Sequence, residues 1–265
     1  MAYAARVLLD SISEAGIRLT TLEVTFPRFV LAEFNTHRQF SRNSASSRAI
    51  PTSTIIGRVE KDPVMPLEWG RNRKGMSASE RLAEEEVDEA KRAWLEARDA
   101  AVEGAQKLQQ LQAHKQIVNR LLEPFLWHTV IVTATEWENF FELRCSPSAQ
   151  PEIREAAMRM RDAMDGSAPS PVGYGEWHLP LVQTDERDLD REMLKRISAA
   201  RCARVSYLTH AGRREIEKDL ELYERLRHDR HLSPFEHVAT PAADVGFHAN
   251  VRGWVQMRQA IESAQ

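Results

Sequence analysis

The run from Thr36 to Arg48 sets the tightest limit on how this chain can fold. Its thirteen residues hold three arginines, one histidine, one asparagine and five hydroxyl side chains, with Phe40 as the only large apolar one. Such a run cannot supply a core face, so the core must come from the segments on either side. Guanidinium forks at Arg38, Arg42 and Arg48, set among serine hydroxyls and Asn43, form the donor set that a phosphate needs. A Ser/Ala-rich turn can add backbone amides. On composition alone a solvated basic loop is an equal reading.

The flanking segments predict an α+β fold, a modest sheet with many helices, within a single domain over 1–265. Residues 17–26 are rich in β-branched side chains and partly alternate, which predicts a strand. Pro27 opens a helix over 29–35, with the polar run in the loop beyond it. Residues 51–78, punctuated by Pro51, Pro63, Pro66, Gly70 and Gly75, read as an extended excursion or lid. From Ser79 to about Gln112, apolar residues recur at helical spacing, with Ser77 or Ser79 as N-cap and early glutamates suiting the positive end. Gly104 argues against one continuous helix there. A second helix is expected over 114–124, ending at Pro124. The run Thr129–Thr135 fits a strand, or a helix that overrides its propensity. Helices over 137–144 and 152–164, a linker through 165–190 and an α-rich segment over 192–227 complete the pattern.

Charge is balanced, 36 basic against 39 acidic residues, so there is no global footprint for nucleic acid and any anion binding must be local. Two cysteines are too few for a disulfide framework, which points to a reducing, cytoplasmic setting. No apolar run approaches the length of a membrane span. The segment His231-Leu-Ser-Pro-Phe-Glu-His237 invites a metal reading. Its spacing is not that of a zinc helix and Pro234 interrupts it, so no metal is expected. Arg144 follows an aromatic stretch and either enters a half-buried site or is an ordinary helix-end arginine favoured by the dipole. Cys145 beside it has no histidine placed by sequence to activate it.

Taken together, four blocks resemble the flavin-dependent thymidylate synthases. The hallmark of that family reads Arg-His-Arg, then Ser, Asn-Glu, Ser and Arg at fixed offsets. His37, Arg38, Ser41, Asn43, Ser46 and Arg48 stand in register with it. Asn139, Leu143-Arg144, Ala149-Gln150 and Glu152-Ile153 match a later block. Residues 203–207 and 231–237 match two blocks that the family carries at its N-terminus. The order here is therefore circularly permuted, which folds tolerate when the old termini lie close together.

The resemblance implies a homotetramer with FAD held where subunits meet, lined by Thr36, His37, Arg38, Asn139, Ser206, Ser233 and Glu236. Thr133 and Thr135 fall near family flavin contacts, although the residue types differ. The nucleotide, dUMP, would take Glu33, Ser44, Ser46, Ser47, Arg48 and Arg120, with the arginines on its phosphate. Arg144 matches the arginine that polarises the pyrimidine, in a mechanism without a cysteine nucleophile. The methylene would come from 5,10-methylenetetrahydrofolate and the hydride from FAD reduced by NADPH. No nucleic-acid or membrane partner is implied, and a phage-encoded enzyme would work in the host cytoplasm. Two positions depart from the hallmark: Thr36 replaces its first arginine and Ser44 its glutamate, leaving local net charge unchanged. The pair either compensates, or marks a cytosine nucleotide or hydroxymethyl transfer, or an inactive homologue that only binds flavin or nucleotide. Ser148 stands where the family often has histidine near the folate.

Overall fold

The structure is a computed structural model that describes residues 2–75, 78, 80–205 and 215–263. Strands β1 (Ala4–Ser13) and β2 (Arg18–Pro27) form an antiparallel hairpin that turns at Gly16, whose φ of 76° suits a residue without Cβ. β3 (Ser41–Ser44) and β4 (Trp127–Ala134) extend this sheet with antiparallel pairing, and β5 (Ser170–Val172) joins β1 in parallel. The order is β3-β4-β2-β1-β5. The β-branched run near 130 is thus a strand, and it lies centrally between β2 and β3. Val130, Ile131 and Val132 are all fully buried, as a strand covered on both faces requires.

Helix α1 (Leu31–Asn35) follows β2 as expected, and α5 (Glu138–Arg144) and α6 (Pro151–Asp165) follow β4. Ile153, Ala156, Ala157 and Met160 of α6 pack on Leu22, Val24, Phe26 and Val132 of the sheet, forming the principal core. A second core lies between α2 (Thr52–Lys61), α3 (Glu84–Gln110) and α4 (Lys115–Val118), around Ile55, Val59, Val102 and Leu122.

Several expectations need correction here. The 51–78 excursion contains α2, whose Ile55, Ile56 and Val59 form a buried stripe; Pro51 precedes its first turn rather than breaking it. The long helix starts at Glu84, where Glu86 accepts the Ala83 amide at 2.8 Å, and runs unbroken through Gly104. The proposed caps Ser77 and Ser79 lie outside the described residues. Only Lys115–Val118 of the 114–124 segment is α-helical, and a 3₁₀ turn over Asn119–Phe125 takes in Pro124. The 165–190 linker contributes β5. The polar run is not all loop, since Ser41–Ser44 pairs with β4.

The C-terminal part holds α7 (Arg191–Ala203), α8 (Ile216–His228), a 3₁₀ turn over Ser233–Glu236, and short strands β6 (Ala239–Pro241), β7 (Phe247–His248), β8 (Val251–Arg252) and β9 (Trp254–Gln256). α9 (Met257–Ser263) ends it. No helix among the described residues is long and apolar enough to cross a membrane.

A line of buried polar side chains fastens this part to the sheet. Ser11 Oγ meets His178 Nδ1 at 2.8 Å, and His178 Nε2 meets Thr21 Oγ1 at 2.8 Å. Thr21 and Thr133, opposite one another in the β2–β4 ladder, bond at 2.6 Å. Thr133 then meets His237 Nδ1 at 2.7 Å, and His237 Nε2 lies 3.1 Å from the Asn43 side-chain amide. Burial pushes the pKa of both histidines down to about 3. They sit in the fold as neutral rings whose two nitrogens are both used, which also removes His237 as a metal ligand.

A pH dependence follows. His128 is also buried and neutral, lowered to about 3 by burial and by Arg28. Unfolded histidine titrates near pH 6.5, so below that value the unfolded chain binds protons that the folded chain excludes. Stability is therefore complete above about pH 6.5 and is lost as pH falls toward the folded values, by up to about 1.4 kcal/mol per pH unit for each ring. Urea melts from about pH 7.5 to about pH 5 are expected to show a midpoint that is level to about pH 6.5 and falls below it at constant m. A flat midpoint throughout would mean that these rings take up protons in the fold as they do in the unfolded chain.

Candidate active site

Aromatic packing brings the two halves of the site together. Phe34 of α1 lies 5.1 Å from Phe26, 5.6 Å from Phe40 and 5.8 Å from Phe140, measured between ring centroids. Phe40, the only large apolar residue of the polar run, also touches Trp137 and Phe140. This cluster locks the end of α1 and the polar run against α5, whose last turn carries Arg144. The His37 ring stands edge-on to Phe140 at 4.8 Å.

Arg144 is half-buried and held at three points, the longest being Nη2 to the Glu33 carbonyl at 3.5 Å. Its Nε donates to His37 Nε2 at 3.0 Å, and its Nη2 donates to Thr36 Oγ1 at 3.2 Å. The Thr36 hydroxyl in turn donates to the Glu33 carbonyl at 2.7 Å. Accepting at Nε2, His37 keeps its proton on Nδ1. Burial, then Arg144 and Arg42, push the His37 pKa down to about 4, so the ring stays a neutral acceptor. The guanidinium is thereby oriented, with Nη1 left unpartnered among the described residues.

The polar run also meets the C-terminal segment. Arg42 donates from Nη1 to the His37 carbonyl at 3.2 Å; burial lowers its pKa, while Glu236 acts to raise it. Glu236 is paired with Arg258 at 2.5 Å. With its amide nitrogen turned toward them, Asn43 donates to the Ser233 carbonyl and to His237 Nε2, each at 3.1 Å. Residues from opposite ends of the chain thus meet around β3. Phe40, Phe140 and Arg258 shape the site without having been singled out as ligands, and Arg42, read from the sequence as a phosphate donor, instead braces the His37 carbonyl. Phe40 carried a signal, because one apolar side chain in a polar run marks an anchor.

The other predicted residues lie as follows. Ser47 and Arg120 donate to Glu123 Oε1 at 3.0 and 2.9 Å, and Arg28 also reaches that oxygen at 2.9 Å. Arg38 and Arg48 are exposed and form no ion pair among the described residues. Ser44 and Asn139 are exposed, and the Ser46 carbonyl accepts the Ala49 amide at 3.0 Å. Glu33 Oε2 is buried with no donor in the protein among the described residues. Ser206 lies outside the described residues. Thr133 is fully buried within the polar line, so it does not face a ligand, and Thr135 Oγ1 accepts the Arg252 amide at 3.0 Å. Both cysteines are held as thiols: burial pushes up Cys145, and more strongly the fully buried Cys202. Neither suits a nucleophile.

The sequence model of the thymidylate synthase complementing protein family matches residues 18–170. The chain belongs to this family. That stretch takes in the polar run, strands β2 to β4 and Arg144; β1 and the segment at 231–237 lie beyond it, the latter reaching it through His237. Two solved structures of a UMP/dUMP methylase, PolB, from Streptomyces cacaoi are similar to it. The one bound with 5-Br dUMP shows 20% identity over 56% of this chain and 66% of that one, with a TM-score of 0.47. The one bound with 5-Br UMP shows 16% identity over 62% and 88%, with a TM-score of 0.49. No curated protein gives a significant match.

The family implies a flavin, and the donor set suits one. The free guanidinium of Arg38, the neutral imidazole of His37 and the exposed Ser233 and Asn139 offer cationic and hydrogen-bonding groups for a pyrophosphate and a polar ring edge. The Arg144–His37 contact is testable without ligand. Arg144→Ala removes both a neighbouring charge and a donor, so the His37 pKa is expected to rise from about 4 toward 6.5, read by NMR titration of the ring protons. A value that stays near 4 would assign the shift to burial and Arg42.

Proposed function

We propose that this protein methylates C5 of a pyrimidine nucleotide, turning dUMP into dTMP. The observation that carries this reading is Arg144, held by His37 and Thr36 so that Nη1 is free to face the O2/N3 edge of the ring. Activation at C5 places negative charge on that edge, and a preorganised, half-buried guanidinium stabilises it without reorganising at the moment of reaction. The thiols of Cys145 and Cys202 support no competing nucleophile.

In this reading the buried, unmatched oxygen of Glu33 accepts an N–H or O–H of the nucleotide. Arg48, and Arg120 released from Glu123, take its phosphate, with hydroxyls from Ser44, Ser46 and Ser47. FAD would be held by Thr36, His37, Arg38, Asn139, Ser206, Ser233 and Glu236. When bound it supplies the hydride, drawn from NADPH, while 5,10-methylenetetrahydrofolate supplies the methylene carbon. Exposure of Thr36, Arg38, Asn139 and Ser233 favours a homotetramer in which a neighbouring subunit covers the flavin. The polar line through His178 and His237 favours one domain in permuted order.

Thr36 favours activity over a merely binding homologue, because its hydroxyl supports Arg144 directly. Ser44 keeps a second reading open, with dCMP as substrate or hydroxymethyl as the group transferred. Purified enzyme with 5,10-methylenetetrahydrofolate and NADPH, offered dUMP and dCMP side by side, is expected to yield dTMP by mass analysis. Consumption of dCMP without dTMP would replace the first reading with the second. Arg144→Ala is expected to lower turnover by about 10²–10³ while flavin content and assembly persist; retained turnover would remove Arg144 from its role.

A further inference from the structure

Three buried hydrogen-bond donors beside β4 have no acceptor among the described residues. They are Arg58 Nη2 on α2, Trp127 Nε1 and His128 Nε2, each without a partner among the described residues. The His128 tautomer is fixed: Arg28 Nη1 lies 3.0 Å from Nδ1 and can only donate, so the neutral ring carries its proton on the unmatched Nε2. His128 is only 3% exposed. Arg58 makes no ion pair among the described residues, and burial lowers its pKa.

All three residues line one small cavity of about 30 Å³. It shares Arg58, Leu126 and Trp127 as lining with a neighbouring cleft of about 430 Å³ that adds Lys61 and Asp62. Among the described residues Asp62 is the only acid lining either space, against Arg28, Arg58 and Lys61, and Arg28 is already matched by Glu123. Buried polar groups are nearly always matched, and a buried cation most of all. One water in the small cavity would accept from two donors but would leave the Arg58 charge unbalanced. An oxyanion accepts from all three and balances that charge.

We infer that this cleft is a second binding site, which takes the phosphate or carboxylate group of a small metabolite. Leu126 and the Trp127 indole, set edge-on to Tyr3 at 5.0 Å, provide an apolar wall for the organic remainder. Ser47, assigned above to the nucleotide, lines the small cavity, but none of the residues in contact with Arg144 lines either space, and α2, which supplies Arg58, has no part in the proposed reaction. This site goes beyond that reading, and titration with and without dUMP separates the two.

The test uses the full chain labelled with 5-fluorotryptophan, with the Trp127 resonance assigned through Trp127→Phe. Inorganic phosphate and malonate are titrated separately, with and without saturating dUMP. The Trp127 signal is expected to move saturably with at least one anion, and the more effective anion distinguishes phosphate from carboxylate. Arg58→Gln is expected to weaken that response about tenfold or more, with Arg58→Lys intermediate. An Arg58→Gln variant that melts like the parent yet responds equally overturns the assignment. Absence of any Trp127 movement in the parent overturns it without a variant, should Arg58→Gln fail to fold. If dUMP abolishes the response, the cleft is the nucleotide's own phosphate site and the second site is lost.

Discussion

The hydrogen-bonded line from Ser11 through His178, Thr21, Thr133 and His237 to Asn43 is the constraint on which the candidate site depends. It crosses β1, β2, β4 and β3, and two of its members come from segments outside the sheet. Each intact bond contributes only about 1 kcal/mol net, because unfolded groups bond to water instead. Breaking one strands a buried donor or acceptor, at about 1–3 kcal/mol. That asymmetry makes the line a specifier more than a stabiliser. A one-residue slip of β3 would turn Asn43 away from His237 and strand the whole chain of partners. The same register fixes Arg42, which bonds the His37 carbonyl, and so the imidazole that orients Arg144.

A second buried polar cluster works with charge instead. Arg201, 2% exposed, meets both oxygens of Glu186 at 2.6 Å and Asp219 at 2.9 Å, while Arg204 reaches Asp219 at 3.1 Å. Burial acts to lower the Arg201 pKa, but the two carboxylates outweigh it and hold it raised. Such a cluster barely offsets its own desolvation, so its use is to fix α7 against α8 and the turn at 184–186 in one arrangement. The neutral line avoids that desolvation cost and can lie between strands, where a charge would have no water to fall back on.

The sequence disclosed elements whose own periodicity decides them. β2, α5 and α6 appear where alternation or helical spacing places them, because one buried face sets each pattern, whereas β4 is buried on both faces and its β-branched run left strand and helix both open. β3 was hidden, since Ser41, Arg42, Asn43 and Ser44 have poor strand propensity and become a strand only through pairing with β4. Ser41 then accepts from Gln256 and Asn250, contacts more than 200 residues away in sequence that no local pattern records. β1 was missed for a related reason. It alternates only weakly, with Ala4 and Arg6 exposed and Ala5 and Val7 packed against the margin of the principal core. α2 was masked by the prolines and glycines around it. For the site, residue spacing could not separate a helix-end Arg144 from a half-buried one, 107 residues from its histidine partner. Family resemblance assigned Arg144 to the pyrimidine and His37 to the flavin, and neither it nor periodicity foresaw that the two bond.

The two departures from the family hallmark look coupled in sequence, since one removes a positive charge and the other a negative one. Physically they differ. The Thr36 hydroxyl accepts from Arg144 and donates to the Glu33 carbonyl. An arginine there would set a second guanidinium beside the first, a repulsion of about 1–4 kcal/mol at 4 Å between water and a typical protein surface. Another anion would have to offset it. Threonine removes that need and anchors Arg144 by a neutral hydrogen bond. Ser44 makes no side-chain bond to this network among the described residues, and lies exposed at the end of β3. Charge neutrality across the pair is therefore not maintained through a shared contact. Thr36 bears on how firmly the pyrimidine-activating group is held, whereas Ser44 bears on what lies at the open edge of β3. Substrate choice is better sought at Ser44 than at Thr36.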